Sequence, residues 1–101
     1  MIMDIDAIIR ALANPVRRDI LVWLKQPEQN FAPQDSQPLS EGVCVSRIFE
    51  KAALSQSTVS AYLAILQRAG LVTSKRAGQW TYYRRNEAMI QAFLAALGQT
   101  I

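Results

Sequence analysis

Four hydroxyls and one amide fall within six consecutive positions of the stretch LSQSTVSAYLAILQRAGLV, Leu54–Val72: Ser55, Gln56, Ser57, Thr58 and Ser60. These side chains are short, uncharged and able both to donate and to accept hydrogen bonds. Gln can pair bidentately with adenine, and Ser and Thr can bond several base edges or phosphate oxygens. At the front of a helix they add to the attraction of the helix N-terminus for phosphate. Catalytic chemistry finds much less to use. The chain has no His, no Gly-rich phosphate loop and no nucleophile–base pair at recognisable spacing. It is therefore read as not an enzyme, with no catalytic residue, no metal ligand set and no cofactor.

The elements that must position these hydroxyls are legible around them. On a helix spanning Ser55–Ala69, Val59, Leu63 and Leu66 recur at i, i+4 and i+7 and form an inward seam. Gln56, Ser57, Thr58, Ser60 and Ala61 then point away from it. Capping accounts for one of the serines. It does not account for an exposed face without Glu, Asp or Lys, which is the composition a helix needs to enter the major groove. Gly70 ends the helix as a left-handed residue. Upstream, Val43–Leu54 reads as a short helix burying Val45, Ile48 and Phe49, followed by a tight turn near Leu54 and Ser55. Downstream, LVTSKR and WTYYRR are β-rich runs joined by Ala77, Gly78 and Gln79, a hairpin. Lys75, Arg76, Arg84 and Arg85 flank its turn and are placed to grip backbone in the adjacent minor groove. Trp80 and Tyr82 share one face and Tyr83 takes the other, as aromatics covering the base of the hairpin.

A first helix is predicted over Asp4–Asn14, with Ile2, Ile5, Ile9 and Leu12 at helical spacing and Ile8 widening the stripe. Asn14 and Pro15 restart the chain as N-cap and first helical residue. The second helix, Pro15–Gln26, turns Val16, Ile20, Trp23 and Leu24 inward and Arg17, Arg18, Asp19 and Lys25 outward. Residues 27–42 hold three of the four prolines and read as a long linker, functional or mobile, that Phe31 and Leu39 could pin. A last helix covers Glu87–Leu97. Met89, Phe93 and Ala96 form one apolar face and Ile90, Leu94 and Leu97 another, so both must be buried. In a chain of 101 residues a second copy is the expected cover for one of them. The fold expected is a single domain, 1–101: mainly α with a small β-hairpin wing, a winged helix-turn-helix, dimeric through its first and last helices.

Charge divides the chain. Residues 1–50 carry five basic and seven acidic side chains, whereas 51–101 carry six basic residues and Glu87 alone. A basic half points to a polyanion. One Cys cannot close an internal disulfide, the N-terminus lacks a basic leader pattern, and no apolar run is long enough to span a membrane, so the expected compartment is cytoplasmic.

Three stretches resemble the ArsR/SmtB family of bacterial winged-helix repressors: ALANPVRRDIL (Ala11–Leu21), Leu54–Val72, and the wing KRAGQWTYYR (Lys75–Arg84). The resemblance implies a homodimer that binds double-stranded DNA at an inverted-repeat operator and releases it when an effector binds. The DNA-binding set expected is Ser55, Gln56, Ser57, Thr58, Ser60, Ala61 and Tyr62 (where the family commonly has His), with Lys75, Arg76, Gln79 and Arg84 from the wing. The family's soft-metal sensors carry a CVC box; here Cys44 fills its first position and Ser46 its last. Its zinc sensors place Asp and His on the last helix, which here offers Glu87 and Gln91. The expected effector is therefore not a metal but a small molecule or a redox signal, with Cys44 as the candidate residue. The rival reading is a winged helix used as a protein-interaction module without a specific operator.

Overall fold

Capping residues divide the N-terminal half into helices. In the computed structural model, which describes residues 3–101, the Asp4 carboxylate accepts the Ala7 amide and opens α1 (Ile5–Leu12). Ile2, placed on the same stripe by its spacing, lies outside the described residues. Asn14 accepts the Arg17 amide at 3.0 Å and Pro15 takes the first position of α2 (Pro15–Lys25), as its sequence predicts. Arg17 is not the outward residue expected. It is half-buried, and with Arg18 it donates to the last carbonyls of α1: Ala11 O at 2.7 Å, Arg10 O at 3.1 Å and Leu12 O at 2.6 Å. Two guanidinium groups thus answer the orphan acceptors of a helix end.

Residues 27–42 are not an open linker. They contain α3 (Pro27–Asn30) and a 3₁₀ turn, Leu39–Glu41. Phe31 is buried and Leu39 packs on the core, the two pins expected. Polar contacts fix the rest. Gln34 donates to Gly42 O at 2.7 Å and accepts the Cys44 amide at 2.9 Å; the Ser36 and Tyr82 hydroxyls bond each other; Arg47 donates twice to Pro33 O.

Val43–Cys44, expected at the front of a helix, form a short strand, β1, that pairs antiparallel with β3 (Val43 opposite Tyr83, Cys44 opposite Tyr82). The wing is therefore the outer part of a three-stranded sheet ordered β1-β3-β2, with β2 (Val72–Ala77) and β3 (Trp80–Arg85) as the hairpin. Of the two turn residues only Gly78 has a positive φ, +62°, the pattern of a type II′ turn.

α4 (Val45–Ala52) and α5 (Gln56–Arg68) are the helix-turn-helix. The turn between them rests on Ala53, left-handed at φ 54° with its amide on Phe49 O. At the far end of α5, Gly70 (φ 82°) donates to Gln67 O and Leu71 to Leu66 O, the paired bonds of a Schellman motif. α6 (Glu87–Thr100) is capped by Asn86 and runs three residues beyond Leu97.

Ile8, Ile20, Ile48, Val59, Leu63, Leu66, Leu71 and Val72 are wholly or almost wholly buried and draw helices α1, α2, α4 and α5 onto the base of the sheet. Phe93 anchors α6 to this core, and Ile90 and Leu97 pack against it as well. The second apolar face expected on α6 thus narrows to Leu94, which is 53% exposed, with Ala88, Ala92 and Ala95 exposed on the same helix.

Candidate nucleic-acid interface

The N-terminal half of α5 divides its residues between two jobs. Ser55 is the cap: its Oγ accepts the Thr58 amide at 3.2 Å and donates to Thr58 Oγ1 at 2.7 Å. Capping therefore occupies Ser55 and most of Thr58, which is half-buried. Gln56, Ser57, Ser60 and Ala61 are exposed, while Val59, Leu63 and Leu66 beneath them are fully buried. The outward surface is one of small, neutral hydrogen-bonding groups on a rigidly seated helix.

Tyr62, one turn along, is tied down. Its ring lies 5.2 Å from the Arg17 guanidinium carbon, and its hydroxyl accepts from Asn14 Nδ2 at 3.5 Å, a long contact. Arg17 thereby joins the end of α1 to the middle of α5. A basic residue read from period alone as solvated gave no sign of this.

The basic residues of the wing do not form one patch. Strand alternation places Ser74 and Arg76 on the face toward α5, where Gln67 donates to Ser74 Oγ at 3.0 Å. Lys75 stands opposite Tyr82 in the register, so Lys75, Tyr82 and Arg84 share the other face, toward residues 34–42. Lys75, Arg76, Gln79 and Arg84 are exposed. Arg85 is a correction to the expected grip. Its guanidinium forms a two-pronged ion pair with Glu87 (2.8 and 3.0 Å) and donates to Leu21 O at 3.2 Å, leaving the side chain 12% exposed. The Arg85 hydrogen bonds, with Lys25 adding at longer range, hold the Glu87 carboxyl below its ordinary value. Glu87, the one acid of the second half, two residues on, was the available signal. Trp80 is also a correction. It does not cover the base of the wing but stands 44% exposed beside the turn, facing the same way as Lys75 and Arg84.

Cys44 is buried under residues 34–42 and precedes α4; the Ser46 hydroxyl donates to its sulfur at 3.3 Å. Burial shields this thiol from reagents and favours a packing role.

Residues 39–74 match the sequence model of "Bacterial regulatory protein, arsR family", a span running from the 3₁₀ turn through α5 into β2. An uncharacterized HTH-type transcriptional regulator, YbzH of Bacillus subtilis, is 48% identical over 84 residues, covering 82% of this chain and 84% of YbzH. The chain belongs to the ArsR family. The ArsR-family match extends to the HTH-type transcriptional repressor SmtB of Mycobacterium tuberculosis, 32% identical over 77 residues, 76% of this chain but only 47% of SmtB. Among solved structures, an ArsR-like transcriptional regulator from Rhodococcus sp. RHA1 has the same fold, with a TM-score of 0.71 over 95% of this chain and 77% of that one, at 21% identity. ArsR-family proteins are DNA-binding transcriptional regulators, and the helix-turn-helix and wing described above are the parts that this chain shares with them. No helix among the described residues is long and apolar enough to cross a membrane.

Proposed function

We propose that the chain is a homodimeric repressor that reads an inverted-repeat operator with the exposed face of α5 and holds its backbone with the wing. The observation that carries this reading is the pairing of an uncharged hydrogen-bonding surface on α5 with exposed cations on the neighbouring hairpin. A protein-interaction module would need neither. α1 and α6 form the dimer contact in this reading and set half-sites about one helical turn, ~10 bp, apart.

Readout and grip separate experimentally. Gln56→Ala should cost about 1–3 kcal/mol at the selected operator and little on unrelated DNA. Arg76→Ala should weaken all sequences alike and lower the salt slope by about one. Competition binding over a salt series measures both. Equal loss of specific and non-specific binding in both variants would refute the assignment of roles.

The metals of some family members do not fit this chain. Soft-metal sites need two or more thiolates. Here the hydroxyl of Ser46, in the box's second cysteine position, donates to the single thiol. The helix that carries Asp and His in zinc sensors has one carboxylate, and that is engaged by Arg85. Zinc, cadmium and arsenite should therefore leave the DNA complex intact in a gel-shift titration. Release at micromolar metal that survives Cys44→Ser would show a site elsewhere.

A further inference from the structure

We propose that the cleft between α2, residues 27–41 and the base of the wing binds a small organic carboxylate, and that this ligand competes with DNA for Arg84. The proposal rests on the DNA-binding reading above and names the effector class for it. The cleft measures about 580 Å³, within the range of about 300–1,000 Å³ typical of small-molecule sites. Its lining is of two kinds. Leu24 and Val43 are buried and, with Leu39, supply an apolar floor; Lys25 and Arg84 supply charge. Neither cation makes an ion-pair contact among the described residues, though Lys25 lies within electrostatic reach of Glu87, the carboxylate that also holds Arg85. Two cations without a close ion pair over an apolar floor suit one carboxylate on a hydrocarbon or aromatic body. A bare phosphate would leave the floor unused, and the Glu28 and Glu87 carboxylates in the same wall disfavour a doubly charged anion. Tyr83, whose phenol burial pushes above its ordinary value, remains a neutral donor in the wall.

The cleft is also placed to report its occupancy. Arg84 pairs with Thr73 across the base of the wing, and its side chain is one of those assigned to DNA backbone. A carboxylate that engages Arg84 removes that cation from phosphate. The coupling is reciprocal, so DNA must weaken the carboxylate by the same factor. The structured 27–41 segment, long for a connection in so small a domain, forms the wall that makes the cleft a concavity.

The test uses benzoate, phenylacetate and hexanoate, with benzyl alcohol, inorganic phosphate and sodium chloride at matched ionic strength as controls. DNA selected by the protein from a random pool is followed by fluorescence anisotropy, and the free ¹⁵N-labelled protein by amide shifts. At least one carboxylate should weaken DNA binding by about 5–150-fold, the usual span of such couplings, and shift the Leu39 and Val43 amides. The controls should do neither. Lys25→Gln should keep the unliganded DNA affinity and lose both responses. No shift with any carboxylate, or an undiminished response in Lys25→Gln, overturns the proposal. Failure to select any DNA defeats the DNA-binding reading instead, and the amide shifts still decide whether the cleft binds a carboxylate.

Discussion

Leu94→Glu should leave the monomer folded and weaken operator binding by about 10²–10⁴-fold, the gain that linking two half-site contacts supplies. Leu94 is 53% exposed on α6. A carboxylate there costs the isolated chain little. Glu87 is the only charged residue in the fourteen-residue helix, and the other exposed positions before its last turn are Ala88, Gln91, Ala92, Leu94 and Ala95, with Gly98, Gln99 and Thr100 exposed at its end. A helix face meant for water carries charge; one without it is built to be covered. On α1, which packs against α6, Ile9 adds a second large apolar side chain, 45% exposed. In an isologous contact each substitution acts twice, so two charges enter one apolar interface. Sedimentation should show a monomer with wild-type circular dichroism, and half-site DNA should be bound about as weakly as by the parent chain. A Leu94→Glu protein that remains dimeric and binds the full operator normally would place the interface on another face.

The seam of α5, the cap at Asn14, a serine cap at the front of α5, the left-handed Gly70 and the hairpin at Gly78 were legible because each depends on residues within one or two turns of chain. That the cap is Ser55 and not Ser57 came only with the structure. What escaped depends on partners far away. β1 is two residues long and exists only because β3, some forty positions on, offers it a ladder; nothing in Val43 and Cys44 distinguishes that from the first turn of a helix. Ala53 takes a left-handed conformation that ordinarily calls for Gly or Asn, and the requirement comes from joining α4 to α5, not from Ala53. Residues 27–42 looked like a linker by their prolines. They are held by hydrogen bonds of Gln34, Ser36 and Arg47, scattered polar contacts that leave no period to read. The candidate interface was legible in the same uneven way. The α5 residues follow from helical period, whereas the division of Arg76 from Lys75 and Arg84 needed the strand register, and the loss of Arg85 to Glu87 needed the joint between β3 and α6.

The two faces of α5 make opposite demands, and one pair of substitutions on the same helix should separate them. Leu63→Ala should destabilise the fold by about 2–5 kcal/mol, the range for emptying a well-packed core site. Leu63 is fully buried between Val59 and Leu66 on the seam, where the helices and the sheet converge, and a close-packed surround relaxes only partly around an alanine. Against a total stability of about 5–15 kcal/mol for a domain of ordinary size, that loss lowers the melting temperature by about 4–8 °C for each kcal/mol. Its effect on DNA should follow the unfolded fraction and disappear at temperatures where the variant is folded. Ser60→Ala, less than one turn earlier, removes an exposed hydroxyl that makes no hydrogen bond within the described residues. Its stability should stay within about 0.5 kcal/mol of the parent, while specific DNA binding falls and non-specific binding does not. Thermal melts at a fixed protein concentration, needed because the proposed dimer would link melting to concentration, and competition binding read the two properties independently. A stable Leu63→Ala protein would mean that the α5 seam is less tightly packed than its burial indicates. A Ser60→Ala protein with unchanged specificity would move the base contacts toward Gln56 and Ser57, at the very start of the helix.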